Sequence, residues 1–212
     1  MANGLIVPDP QNPGSFIIPA LGKRAEISQL REGDVYDSGQ VASGAISAGT
    51  EIIFFSSVTD KNLQHKNFNH PGRVPAGMEL AVNRIGLVVA QAQGNTMASD
   101  DDVIKIAYSG ALKVKINERT IAEGPAFTFQ SGYGVVGSTT RTDTGVVTIG
   151  MPSFAAAPQL LVVQPIRDDD DLAPTLTWPN NAWITSNAMP TLDGRTVLTI
   201  LLHGVVKTPL GK

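Results

Sequence analysis

From Ala111 to Phe129 apolar and polar positions alternate almost without interruption. Leu112, Val114 and Ile116 fall on one face and Lys113 and Lys115 on the other, the period-two pattern of a strand with one side in a core and one in water. Asn117, Glu118 and Arg119 supply a polar turn, Ile121 resumes the apolar side, and Gly124-Pro125 interrupts the pairing before Phe127 and Phe129 open a further run. The pattern predicts a sheet folded back on itself.

Similar runs recur along the chain. Strands are expected at Ile52–Ser56, Met78–Ala92, Val103–Tyr108, Ala111–Ile116, Thr120–Ala122 and Ala126–Phe129, then at Gly134–Val136, Val146–Ile149, Leu160–Ile166, Leu176–Trp178 and Thr196–Val206. Turn residues separate nearly all of them, and no helical pattern of ~10 to 15 residues intervenes, so an antiparallel sandwich or barrel is favoured over an α/β sheet. No repeat at a fixed period argues for a propeller or solenoid.

Residues 1–50 read differently. They are rich in Gly, Pro, Ser and Ala, with brief apolar groups at Leu5–Val7, Phe16–Ile18 and Val35-Tyr36. This predicts an extended N-terminal arm, with regularly spaced apolar anchors laid along a neighbour or along its own domain. One short helix is expected at Lys23–Arg31, where Ile27 and Leu30 share a face and Gly33 would stop it. The domain proper is expected to span residues 51–212.

Composition narrows the function. Among 212 residues, 42% are hydrophobic and only 17% charged, below the ~25% charged residues of an average soluble domain. Some of this weakly charged surface is expected to meet other protein. The 21 Gly and 14 Pro suit short strands and tight turns. With no Cys, disulfides and thiolate metal sites are excluded. The formal charge of −3 argues against nonspecific nucleic-acid binding as the main task. The opening residues lack the basic start and apolar stretch of a signal peptide, and no apolar run approaches the ~20 residues of a membrane helix.

Candidate chemistry is sparse. Gly132-Tyr133-Gly134-Val135-Val136-Gly137 has dinucleotide-motif spacing, but the polar stretch Ser138–Gly145 follows where a helix is required, so a glycine-rich β corner is the reading. His65 and His70 share an Asn/Lys-rich loop with Asp60, a conceivable metal set that reads better as exposed loop residues. His203 lies within an apolar strand and is expected to face outward or to satisfy a local hydrogen bond. Asp100–Asp102 and Asp168–Asp171 carry oxygen donors for Ca²⁺ but lack the alternating spacing and glycine of a calcium loop, which makes them solvated loops. Trp178 and Trp183 flank Pro179-Asn180-Asn181 and offer rings for stacking on a sugar, or one ring for the core and one for a neighbour. No catalytic, cofactor-binding or metal residue is assigned.

Four segments, taken in order, resemble the single jelly-roll major capsid proteins of icosahedral tailless bacterial viruses. They are Glu51-Ile52-Ile53-Phe54-Phe55 with its Asn-rich loop and Val74–Leu80 leading into Ile85–Val89; the hairpin Ala111–Ile116 with Glu123–Phe127; the corner Gly132–Gly137; and Val197–Val206 with Leu202-His203-Gly204. The resemblance implies an all-β fold of two stacked four-stranded antiparallel sheets and a non-enzymatic role, a subunit made in the host cytoplasm that self-assembles into an icosahedral shell, the virion capsid, around a genome. It also implies homo-oligomeric cyclic capsomers, other capsid, penton or spike proteins as partners, and an inner membrane layer beneath the shell. Residues 1–50 offer only Lys23, Arg24 and Arg31 as Lys or Arg, so direct nucleic-acid binding is expected to be weak or absent. The alternatives are a virion spike or cement protein, a carbohydrate-binding β-sandwich using Trp178, Trp183 and the Asn-rich loop, or a cupin-like enzyme with His65 and His70 on a metal.

Overall fold

The structure, a computed structural model, describes residues 5–42, 45–57, 61, 66–67, 70–90, 109–129, 159–179, 183–184 and 195–208. The first strands are β1 (Val7–Pro8), β2 (Ser15–Ile18), β3 (Lys23–Glu26), the long β4 (Leu30–Ala42) and β5 (Ala45–Ile46). They are followed by β6 (Glu51–Ile53), β7 (Glu79–Ala90), β8 (Ala111–Ile116), β9 (Arg119–Pro125), β10 (Gln159–Ile166), β11 (Thr175–Thr177), β12 (Trp183–Ile184) and β13 (Arg195–Lys207).

Two four-stranded sheets carry the fold, in the orders β10-β7-β13-β4 and β6-β11-β8-β9, and every ladder in them is antiparallel. Among the described strands of the two sheets, the chain crosses from one sheet to the other at each step from β4 to β6, β7, β8, β10, β11 and β13, and stays in one sheet for the β8–β9 hairpin. Between the sheets lies one apolar core. β13 places Leu198, Ile200 and Leu202 in it, opposite Ile85 and Leu87 of β7, and the second sheet answers with Leu112, Val114 and Leu176. Alternation explains the selection, because β8 reads intermediate, buried, intermediate, buried along its length, with the two lysines on the outer side.

The N-terminal residues differ from the expected arm. β4 pairs with β13 over its full length, from Leu30↔Lys207 to Ala42↔Arg195, and is an edge strand of the sandwich itself. Residues ahead of it form a three-stranded sheet, β1-β2-β3, folded back on the outer face of the first large sheet. Ile18, Leu21 and Ala25 are buried there against Ala81 of β7 and Val205 of β13. The apolar anchors thus find cover on their own domain, with Ile18 and Leu21 each contributing about 2 kcal/mol of transfer free energy.

Two local expectations are corrected with this. Lys23–Arg31 is not helical: β3 occupies its start, and a single 3₁₀ turn at Ile27–Gln29 leads into β4. Cross-strand pairing of Lys23–Glu26 with Ser15–Ile18 outweighs the weak helical spacing of Ile27 and Leu30. Ala126–Phe129 is also a 3₁₀ turn, with Ala126 and Phe129 buried and Phe127 exposed. The strands expected at Val103–Tyr108, Gly134–Val136 and Val146–Ile149 lie outside the described residues.

Candidate functional site

The first large sheet carries a defect at Asn83. On one side of β7, Arg84 pairs with His203 and Val82 with Gly204, so Asn83 has no opposite residue on β13. On the other side, Arg84 pairs with Gln159 and Val82 with Gln164, so residues 160–163 of β10 stand against that single position. Bulges of this kind turn a side chain away from the direction the alternation would give it. Gly204 makes the bulge sterically feasible, since a Cβ there would stand 2.0 Å from the Ala81 carbonyl oxygen.

Asn83 lines a cavity of about 500 Å³ on the outer face of this sheet. Leu5, Ile6 and Phe16 from the N-terminal sheet, together with Leu30 and Val205, give it apolar walls, and Arg31, Glu32 and Arg84 add polar groups. Asn83 is only 5% exposed, and its Oδ1 has no hydrogen-bond partner among the described residues.

Next to Arg84, His203 bonds through Nδ1 to Asp34 Oδ1 at 2.8 Å, and its Nε2 stands 3.5 Å from Glu32 Oε1. The Asn-rich loop is pinned to the same strand: the Tyr36 N–H donates to Asn67 Oδ1 at 2.9 Å, and Asn67 Nδ2 donates to the Asp34 carbonyl at 2.6 Å. This covers part of the free edge of β4, which otherwise presents unpaired backbone groups.

Two carboxylates are buried with cations. Glu79 accepts from Lys23 Nζ at 2.6 Å and Lys207 Nζ at 3.1 Å, with only 2% of its side chain exposed. Burial pushes its carboxyl up, but the bonds and charges of the two lysines outweigh this and hold it below its ordinary value. Asp37, at 1% exposure, receives Lys61 Nζ at 2.8 Å and the backbone N–H of Phe55. Phe55 has a positive φ of 61°, a left-handed conformation that this hydrogen bond helps to hold.

The sequence-expected groups do not converge on one site. His70 is exposed, while His65, Asp60, Asp100–Asp102 and Gly132–Gly137 lie outside the described residues. Asp168–Asp171 diverge onto separate partners: Asp168 accepts from the Gly77 N–H, Asp170 from the Arg167 N–H and Asn117 Nδ2, and Asp171 pairs with Arg73 at 3.0 Å. This run is a fastening between loops, and among the described residues no group of three or more His, Asp or Glu is arranged to hold a metal ion. Trp178 is fully buried in the core, as expected for one ring of the pair, and is not available for stacking on a sugar. Reasoning from sequence missed Asn83, Glu79 and Asp37. Glu79 and Asn83 do interrupt the apolar run Met78–Val89, the one signal that marked them.

Among the described residues, three large apolar side chains are the most exposed. Leu161 is fully exposed and Val162 is 66% exposed, both on β10 at the sheet edge, and Ile27 is 69% exposed beside the cavity. No protein-family model matches this chain, and no curated protein matches it.

Proposed function

We propose that the chain is a structural capsid subunit, a single jelly roll that self-assembles into an icosahedral shell. The strand order carries this reading. Eight described strands in two four-stranded antiparallel sheets, visited alternately except at one central hairpin, support a winding of two superposed Greek keys, the arrangement used by viral capsid and lectin domains and by cupins. The space between the sheets is filled by Leu112, Val114, Leu176, Ile200 and Leu202. A cupin-type reaction centre would need polar ligands where these apolar side chains pack, which favours the structural role over the enzymatic one.

Three further features support it. Leu161 and Val162 project from an edge strand, where an isolated subunit gains nothing from exposing them and a neighbour would bury them. Lys23 and Arg24 are engaged by Glu79 and Asp9, which fits weak or absent direct binding to nucleic acid. A carbohydrate-binding role loses Trp178, leaving Trp183 of the original pair.

Electron microscopy of the purified protein with light scattering over a range of concentration and salt tests the proposal. Rings, sheets or closed shells are expected. A chain that stays monomeric under all conditions overturns it.

A further inference from the structure

We infer that Leu161 and Val162 of one copy insert into the cavity beside the N-terminal sheet of a second copy, as a knob into a hole. The inference rests on the reading of the chain as a self-assembling subunit and names the contact through which copies meet. The three most exposed large apolar side chains among the described residues divide between the two sides of this contact: Leu161 and Val162 form the knob, and Ile27 lines the hole. Leu5, Ile6, Phe16, Leu30 and Val205 make the rest of the apolar wall. A volume of about 500 Å³ lies in the range that holds a drug-sized molecule, which is ample for two aliphatic side chains.

The knob is held in place by its own chain. Residues 160–163 of β10 stand against one position of β7, so the strand bows outward there. Leu160 packs on the core between the sheets and Val163 on the apolar cluster under the N-terminal sheet, which anchors the bow at both ends. Gln164, only 9% exposed, donates from Nε2 to the Val162 carbonyl at 3.0 Å and closes it. Leu161 and Val162 are thus set outward before a partner arrives, and little ordering entropy is lost on contact. Leu160–Val163 carries no charge and is bordered by Gln159 and Gln164, so its entry into an apolar hole strands no ion. Leu161 is fully exposed, so the knob does not fill the cavity of its own chain. Every copy carries both halves of the contact, which selects a second copy as the occupant.

The chain has no Cys, so Val162→Cys and Ile27→Cys each introduce a single thiol. The two full-length variants are mixed at the highest soluble concentration, oxidised mildly and digested for mass spectrometry. A disulfide joining position 162 of one copy to position 27 of another is expected as the main product, since it forms only where the two Cβ atoms come within about 4.5 Å. Glu123→Cys, at an exposed position of the second sheet, should give little product with Val162→Cys. Leu161→Asp should weaken self-association in light scattering by about tenfold or more, the effect of losing one buried aliphatic side chain, while the thermal midpoint stays near that of the unsubstituted chain. Rings or shells that assemble without the 162-to-27 cross-link overturn the inference and leave the capsid reading in place. Cross-linked pairs that grow no larger support the contact and remove the capsid reading. A chain that stays monomeric without the cross-link removes both, and association indifferent to Leu161→Asp overturns the inference.

Discussion

Lys23 Nζ lies 2.6 Å from Glu79 Oε1, joining β3 of the small N-terminal sheet to the first residue of β7. Lys207 reaches the other carboxylate oxygen at 3.1 Å, so one buried carboxylate ties three strands together. The substitution Glu79→Gln leaves two lysines facing a neutral amide. It is expected to cost about 2 kcal/mol, with the N-terminal sheet opening first. Hydrogen exchange checks this, because amides of β2 and β3 should lose protection before those of β13.

The same carboxylate predicts a pH dependence. Its folded value is held below its ordinary 4.5, so ionised Glu79 contributes stability that is fully present above about pH 4.5 and is lost as pH falls through the folded value. Asp9, lowered by the Asn12 side chain and the Gln11 N–H, acts in the same direction at the same sheet. Denaturant midpoints measured from neutral to acid pH should fall most steeply below about pH 4.5, and Glu79→Gln should flatten that fall.

Gly204 and Gly33 face each other across β13 and β4, yet only one of them is sterically required. A Cβ on Gly204 would overlap the Ala81 carbonyl, whereas one on Gly33 meets nothing within 4 Å. Gly204→Ala is expected to destabilise by about 2 to 4 kcal/mol and Gly33→Ala by less than about 0.5 kcal/mol, read from urea unfolding.

Asp37 holds the Lys61 ammonium and the Phe55 N–H at the inner edge of the sandwich. Truncation strands both donors. Asp37→Ala should cost about 3 kcal/mol, and Asp37→Asn, which retains an acceptor for Phe55, should cost less. Thermal unfolding of the two variants separates the hydrogen bond from the charge.

If Leu161 and Val162 meet a neighbouring copy, charges placed there will block assembly without harming the fold. The pair Leu161→Asp and Val162→Asp should leave stability within about 0.5 kcal/mol and abolish rings or shells in micrographs. Assembly that survives the double substitution would place the contact elsewhere on the chain.

Strands with one wet face were legible in the sequence because period-two alternation is a local property. Ala111–Ile116 occurs with the bounds expected for it, and Leu160–Ile166, Leu176–Trp178 and Thr196–Val206 fall within a residue of the observed strands. β4 was not legible as a strand of the sandwich. Its residues mix Asp34, Asp37 and Ser38 with Val35 and Tyr36, so polar groups sit where alternation would demand apolar ones. Asp37 is tolerated on the inner side only because Lys61 and Phe55 meet it there. The cavity was likewise invisible, since its walls come from Leu5 and Phe16 near the start of the chain, Asn83 in its middle and Val205 near its end.

By itself, the order of apolar and polar residues determined that the chain is built from strands, where most of those strands run and which of their faces are apolar. Only the tertiary structure decided that the N-terminal residues fold back onto their own sheet, that Glu79 joins three strands and that Asn83 is buried beside a cavity. The physical reason is range. Alternation acts between residues two apart, whereas an ion pair such as Lys23–Glu79 spans 56 positions and exists only once the sheets have stacked.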